Sequence, residues 1–183
     1  MDYYIDIKLF PTKEIRENVL LNQVYTVFHK RLYDLKSNDI GISFPQYKLK
    51  LGRLLRIHGK KETLNKLEEI AWLGKYKTYC KVTKVETIPE DVQYRTISRI
   101  QQNMTESKLR RLIKRETISE KDIKKYRLKM LQGGLDNPYL ELTSMSNNQF
   151  HRRFIEFGEL NNKEVKGQFD VFGLSKTATI PWF

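Results

Sequence analysis

The order in which strand and helix patterns follow one another is the strongest constraint on the fold of this 183-residue chain. Tyr3–Phe10 alternates in polarity and predicts a strand, and apolar residues at helical spacing predict a helix over about Lys13–Leu35. Next come two strand patterns, IGISF and RLLRIH. An amphipathic helix pattern, LNKLEEIAWL, and a last strand pattern, KTYCKVTKVETI, follow them. This order predicts a ferredoxin-like (RRM-like) βαββαβ domain over residues 1–90.

Residues 91–183 follow a different plan, which also mixes strands and helices. The segment from Tyr94 to Gln101 is strand-like, and two charged helix patterns come after it. Three further strand patterns follow the Gly133-Gly134 turn, and they are LELTS, FHRRFIEF and QFDVFGLS. No Ser/Gly-rich or Pro-rich linker separates the halves. We therefore expect an α+β protein whose two halves pack together, with an arginine-rich helix in the second.

Net charge indicates the chemical class of the partner. The chain has 34 Lys and Arg residues against 22 Asp and Glu residues, a formal charge of +12, which favours nucleic acid. No run approaches the ~18 apolar residues of a spanning helix, and no lipidation motif occurs, so a membrane partner is not expected. The opening MDYYIDIKLF lacks the features of a signal peptide, and Cys80 is the one cysteine. We expect a cytoplasmic protein without disulfides or a zinc site of paired cysteines.

A short segment in the second half concentrates positive charge on one side of a helix. At ~100° per residue, Leu109, Leu112 and Ile113 fall on one arc, which we expect to face the core. The cations fill the opposite side, and they are Lys108, Arg110, Arg111, Lys114 and Arg115. A solvated basic helix face normally includes acidic residues one turn away from its cations, but Glu106 is the only such acid here. The pattern therefore favours phosphate binding over a merely solvated face.

Two polar pairs are candidates for further contacts to RNA. Arg99 and Gln101 share one face of a strand, and both side chains can make bidentate contacts to base edges; an ordinary exposed strand face is the alternative. Ser144 and Ser146 lie in the polar loop SMSNNQ at a strand end. Their hydroxyls have the chemistry to orient a ribose, and turn formation is their alternative role.

His29 is a candidate general base, and an inert exposed histidine is the alternative. It lies about 150° from the centre of the apolar stripe of its helix, which predicts an open flank rather than a core position. RNA supplies its own nucleophile, the 2′-hydroxyl, so a ribonuclease needs only a base, groups that position the ribose and cations near the phosphate. None of the three histidines has metal-ligand spacing to a partner. No metal or other cofactor is therefore expected, and His58 is interpreted as structural or surface.

Taken together in their order and spacing, the motifs resemble those of the type I-F CRISPR repeat-processing endoribonucleases. The resemblance spans nearly the whole chain and rests on MDYYIDI, FHKRL, GISFP, LRIHG, SRIQ, LRRLIKR, SMSNNQ, FGLSK and PWF. It implies an enzyme that cuts precursor CRISPR RNA at its repeat hairpin, leaves a 2′,3′-cyclic phosphate and stays bound to the hairpin. The implied partners are the CRISPR repeat stem-loop and other subunits of a type I-F effector complex.

The resemblance also implies roles for individual residues. His29 falls at the place of the general base that activates the 2′-hydroxyl, and Ser144 matches a serine that holds the ribose. Arg111 and Arg115 match arginines that contact phosphates in the groove of the stem. Arg99 and Gln101 match the pair that contacts bases at the foot of the stem.

Two positions depart from the family pattern. His151 stands where an aromatic residue packs on the base at the cleavage point, with Phe150 beside it. Either His151 stacks instead, or a strand irregularity restores Phe150, since a slip of one residue reverses the face. Phe172 stands where the pattern has a tyrosine, and a phenyl ring cannot transfer a proton. A further hypothesis is that His151 acts as a second proton donor in the cleavage reaction.

These departures keep open a non-catalytic RNA-binding function, either as an RNA-hairpin-binding subunit of a CRISPR effector complex or as an unrelated ribosomal-type module. A DNA-binding protein is the third hypothesis. A 2′-deoxyribose at the cleavage site separates the cases, because a nuclease of this mechanism binds such a substrate without cutting it.

Overall fold

The protein is described by a computed structural model that covers residues 1–101, 104–132, 135–143 and 149–183. Its first sheet has the strand order β2-β3-β1-β4, every neighbouring pair is antiparallel, and a short β5 pairs with β1. The elements of this part are β1 (Tyr3–Leu9), α1 (Glu17–Leu35), β2 (Gly41–Ser43), β3 (Leu54–Gly59), α2 (Lys61–Glu69), a 3₁₀ helix (Gly74–Tyr79), β4 (Cys80–Val82) and β5 (Glu86–Thr87).

The second part contributes two smaller sheets and two helices. One sheet has the antiparallel order β7-β9-β8, and the other pairs β10 with β6. The elements are β6 (Gln93–Arg95), β7 (Ile97–Ile100), α3 (Glu106–Lys114), α4 (Glu120–Gln132), β8 (Tyr139–Thr143), β9 (Phe150–Phe157) and β10 (Ile180–Trp182). The predicted α+β class is confirmed.

Helix α1 is built on an apolar stripe that recurs every three to four residues. The buried members are Leu20, Leu21, Val24, Tyr25, Phe28 and Leu32. The helix begins at Glu17 rather than the predicted Lys13, because the Thr12 hydroxyl accepts hydrogen bonds from the backbone N–H groups of Glu14 and Ile15 and forms a turn there. It ends where Lys36 adopts a left-handed conformation.

Several predicted strands are wrong in extent, because tertiary pairing divides them. Lys77–Tyr79 belongs to a 3₁₀ helix, so KTYCKVTKVETI is not one strand but β4 and β5. The predicted strand from Tyr94 to Gln101 is two, since β6 pairs with β10 and β7 pairs with β9. The sequence pattern missed β10 altogether.

The segment QFDVFGLS, predicted as a strand, is instead a turn bound to several elements. Its backbone hydrogen bonds go to different partners: Phe169 N–H donates to Asn38 O, Gly173 O accepts from Ile42, and Ser175 N–H donates to Ile97 O. A strand needs a continuous ladder with one neighbour, and these bonds reach three. The turn connects the first sheet with β7.

One hydrophobic core joins both halves of the chain. It includes Phe28 and Ile57 from the first half together with Leu142, Ile155 and Ile180 from the second. The domain boundary near residue 90 stays a prediction. In the part of the chain that the structure describes, no helix combines the length and apolar character that crossing a bilayer requires.

Candidate active site

His29 projects from α1 toward the turn at residues 170–174 and is partly buried. Its Nδ1 lies 2.8 Å from the backbone carbonyl oxygen of Val171. A carbonyl oxygen only accepts, so Nδ1 carries the proton and donates it, and in the neutral ring the lone pair is on Nε2. This is the nitrogen available to take a proton.

The Phe172 ring covers one face of the His29 imidazole. The two centroids are 3.6 Å apart and the planes are inclined by 11°. The turn that carries Phe172 is held by Asp170, whose Oδ1 accepts from the N–H groups of Phe172 and Leu174, each at 2.9 Å. Gly173 in the same turn has a φ of +72° and approaches Ile42, where a side chain would be strained.

Tyr25 ties the turn to the helix that bears His29. Its hydroxyl, fully buried one helical turn before His29, donates to the carbonyl oxygen of Phe172 at 2.8 Å. The prediction that His29 faces an open flank is therefore wrong, because the C-terminal turn covers that flank. A helical wheel describes one helix alone, whereas the residues that cover His29 lie more than 140 positions away in sequence.

The surroundings of His29 favour its neutral form. Burial lowers the pKa of His29 below its ordinary value, and the Val171 carbonyl, which favours the protonated ring, offsets this in part. Arg153 and Lys30 lower the pKa further, while Asp170 raises it. The ring is thus mostly unprotonated at neutral pH, as a general base requires.

Arg153 is a site residue that the sequence analysis missed. It lies in β9 with its guanidinium carbon 3.4 Å from the centroid of Phe172, and the residue is only 5% exposed. The signal was present, since the two-residue alternation of FHRRFIEF puts Arg153 on the same face as buried Ile155. A charged side chain at a core-facing position is the kind of exception that marks a site.

Arg99 and Gln101 are brought together as predicted. They line a cleft of about 690 Å³. The guanidinium of Arg99 contacts the side-chain amide of Gln101, and the amide orientation that satisfies both groups turns its oxygen toward the guanidinium. Lys176 and Asp170 also line the cleft, and since Asp170 holds the turn beside His29, the cleft adjoins the candidate base.

The basic segment forms α3 with Arg115 as its C-terminal cap residue. The Thr105 hydroxyl begins the helix by accepting from the N–H of Lys108 at 3.2 Å. All five predicted cations are exposed. Of the predicted apolar arc only Leu109 is fully buried, and Ile113 is 41% exposed. The helix is therefore held at the surface by one deeply buried residue.

Three of the five cations lie beside a shallow groove of about 210 Å³, which is lined by Lys108, Arg111, Leu112 and Arg115. Glu106, which the sequence paired with Arg110, has an oxygen 3.9 Å from the guanidinium of Arg127 in α4. The acid of the segment therefore interacts with the next helix.

His151 and Phe150 lie on opposite faces of β9. The pairing of β9 with β8 runs without a bulge from Phe150 opposite Thr143 to Phe154 opposite Tyr139. His151 pairs with buried Leu142 and shares the face of Arg153, whereas Phe150 is 82% exposed. The strand irregularity that would restore Phe150 is absent. Ser144 and Ser146 lie outside the described residues.

His58 is a core residue. It is fully buried, and its Nε2 lies 2.8 Å from the hydroxyl of Ser43. Burial holds the pKa of His58 well below its ordinary value. Of its two predicted roles, the structural one is correct and the surface one is wrong. Among the described residues, no three His, Cys, Asp or Glu side chains form a group that could hold a metal ion.

Comparison with known proteins identifies the family. Two relatives named "CRISPR-associated endonuclease Cas6/Csy4" are similar over the full length of both chains: one from Escherichia coli (strain UTI89 / UPEC) is 34% identical, and one from Pseudomonas aeruginosa (strain UCBPP-PA14) is 33% identical. The solved structure titled "Crystal structure of CRISPR RNA processing endoribonuclease Cas6b" aligns with 99% of this chain and all of its own, at 12% identity and a TM-score of 0.29. The family described as "CRISPR-associated protein (Cas_Csy4)" matches residues 4–183. The chain therefore belongs to the Cas_Csy4 family of CRISPR-associated proteins, as its motifs indicated.

Proposed function

We propose that the chain is a metal-independent endoribonuclease that cleaves precursor CRISPR RNA at the repeat hairpin. One observation carries the proposal: the bond from Nδ1 of His29 to the Val171 carbonyl leaves Nε2 as the basic nitrogen. The cleft of Arg99 and Gln101 is also lined by Asp170, which holds the turn beside His29, and this suits a base that acts on a bound RNA strand. The endonuclease names of two full-length relatives agree with it.

In the proposed reaction, Nε2 of His29 takes the proton of the ribose 2′-hydroxyl. The 2′-oxygen then bonds to the adjacent phosphorus, and the bond from phosphorus to the 5′-oxygen of the next nucleotide breaks. The leaving oxygen takes up a proton, so the products end in a 2′,3′-cyclic phosphate and a 5′-hydroxyl. The Phe172 ring stacks on the His29 imidazole and fixes its plane, but it transfers no proton. Ser144 holds the ribose in this proposal.

The finer features of the proposal concern binding. The strand order β2-β3-β1-β4, antiparallel throughout, supports a ferredoxin-like first domain. The exposed cations of α3 support an arginine-rich helix that binds the stem, with Arg111 and Arg115 on phosphates. Arg99 and Gln101 contact base edges, and His151 rather than Phe150 faces the bound strand. The cleaved hairpin stays bound and joins other type I-F effector subunits.

The test incubates the protein in EDTA with its repeat hairpin and with the same hairpin carrying one 2′-deoxyribose at the cut. We expect cleavage of the ribose hairpin alone, with a cyclic phosphate end, and a fall of about 10²–10⁴-fold in the single-turnover rate for His29→Ala. Tyr33→Ala, which removes an exposed side chain of the same helix, is the matched control and should cut normally. Cutting of the deoxy hairpin would contradict the proposal.

A second candidate function is a non-catalytic RNA-hairpin-binding subunit. The observation that favours it is Phe172, since this ring occupies the space beside His29 and brings no hydroxyl to it. This alternative predicts tight binding of both hairpins, cleavage of neither, and the same affinity for wild type and His29→Ala.

A further inference from the structure

Arg153 occupies a position in β9 that packing alone does not explain. Two of its neighbours on the same face are apolar and fully buried: Leu140 pairs with it across the sheet, and Ile155 is two residues further along. Placing a guanidinium among such residues removes its hydration, which is unfavourable unless the charge is paired. The position therefore needs an explanation beyond the hydrophobic core.

The guanidinium has hydrogen-bonding capacity that the described residues do not use. Its Nε is enclosed by the protein without a partner, and no hydrogen bond or ion pair joins Arg153 to another described residue. Its contact is the face of Phe172, at 3.4 Å. Burial lowers the pKa of Arg153, and the charge of Arg99 lowers it further, whereas Tyr25 and Asp170 raise it. An arginine nevertheless retains its charge at neutral pH.

Phe172 lies between this charge and the candidate base. The imidazole of His29 stacks 3.6 Å from the ring centroid and the guanidinium carbon lies 3.4 Å from it, so the two groups occupy opposite faces. A general base contacts its 2′-oxygen at about 3 Å, and the attacked phosphorus lies about 3–3.5 Å further on. A scissile phosphate placed by His29 therefore comes within reach of Arg153 where the RNA passes the edge of the Phe172 ring.

We propose that Arg153 binds the scissile phosphate, donating its unused N–H groups to the non-bridging oxygens around the edge of Phe172. The inference rests on the proposed function and adds a residue to the same site. A phosphate supplies the acceptors and the negative charge that the described surroundings of the guanidinium lack. Because negative charge on the phosphoryl oxygens increases during attack, a fixed cation there stabilises the transition state most. The Phe172 face holds the guanidinium in its plane.

The test measures coupling between the side chain and one phosphate on hairpins that cannot be cut. Both hairpins carry 2′-deoxyribose at the cleavage site, and one has a neutral methylphosphonate in place of the scissile phosphate. Affinities are compared for wild type, Arg153→Met and Arg152→Met. Arg152 is the matched control, since it is the adjacent arginine, lies on the opposite face of β9 and pairs with Glu141 at 3.2 Å.

We expect the neutral linkage to weaken binding about ten- to 100-fold in wild type and in Arg152→Met, as a lost charge-assisted hydrogen bond does. In Arg153→Met the two hairpins should bind alike. Equal weakening of all three proteins would overturn the proposal and leave Arg153 a packing partner of Phe172. On the ribose hairpin, Arg153→Met should cut about 10²–10³-fold more slowly than wild type.

Two further measurements separate this inference from folding defects and from the proposed function. The Arg153 Nε–H resonance of the wild-type protein should shift with the phosphate hairpin and not with the methylphosphonate; the same shift with both would contradict the contact. Arg153→Lys keeps the charge and should retain part of the coupling. A wild type that binds without cutting contradicts the proposed function alone, whereas one that cuts without coupling at Arg153 contradicts only this inference.

Discussion

The surroundings of His29 and the surface of α3 are built in opposite ways. His29 is held by a carbonyl and a ring from a turn more than 140 residues away, and that turn is fixed by Asp170 and by buried Tyr25. On α3 the cations are exposed, and Leu109 is the one fully buried residue of the helix. Moving a proton requires a fixed geometry, whereas attraction to phosphates requires charge that can adjust.

Among variants that test this difference between the two regions, removing positive charge from α3 should have the largest effect, and that effect is on hairpin affinity. The double change Arg111→Gln with Arg115→Gln should weaken hairpin binding about 100-fold at moderate salt and reduce the salt slope by about two, because two phosphate contacts are lost. The single-turnover rate with the hairpin saturated should not change, since neither residue contacts the candidate base. Filter binding and cleavage across a salt series measure both quantities.

The control for that pair is Lys163→Gln with Lys166→Gln, which removes the same charge from exposed positions in the C-terminal segment. A similar loss of affinity in the control would mean that net charge, rather than the helix, determines binding. A slower saturated rate in the arginine double variant would break the separation between the two regions.

A smaller effect is expected at the support of the turn. Tyr25→Phe keeps the ring but removes the donor to the Phe172 carbonyl, and an unpaired buried carbonyl costs about 1–3 kcal/mol of unfolding free energy. The thermal midpoint should fall by several degrees, and cleavage should slow because Phe172 and His29 are less firmly placed. Tyr33→Phe removes a hydroxyl from an exposed tyrosine and should leave both unchanged. An unaltered midpoint in Tyr25→Phe would show that the hydrogen bond contributes nothing.

The smallest effect is a displacement of the pH dependence of cleavage. Burial and Arg153 lower the pKa of His29, so a general base there stays active below the ordinary histidine value of about 6.5 and loses activity only as the pH falls through its own lower pKa. At subsaturating hairpin the rate reports the free protein, so the acid limb of the single-turnover rate should lie below pH 6.5 under that condition. NMR titration of His29 should give the same midpoint in the free protein. An acid limb above pH 6.5 would contradict the prediction.

The comparison also explains what a linear pattern was able to predict. Strands β1 to β3 and the helices α1 to α4 follow from periodicity over neighbouring residues. The exposed cations of α3 were found for the same reason, since a helical face is a local property. The helix limits moved where a turn intervened, as at Thr12.

The surroundings of His29 were not accessible in this way. His29 itself was found from a helical wheel and from family motifs. The residues that contact it or its stacked ring were not found, and these are Val171, Phe172 and Arg153. Two of these lie in a segment whose alternation imitates a strand, although its backbone bonds go to three different elements. The sequence patterns did not single out Arg153.

Local periodicity was thus sufficient for strands β1 to β3, the four α-helices and the cationic face of α3, because each depends on side chains a few positions apart. The tautomer of His29 and its lowered pKa depend on contacts across 124 to 143 residues of sequence, with Arg153, Val171 and Phe172. Those contacts form only when both halves share one core, since burial and pairing are properties of the packed chain rather than of any segment.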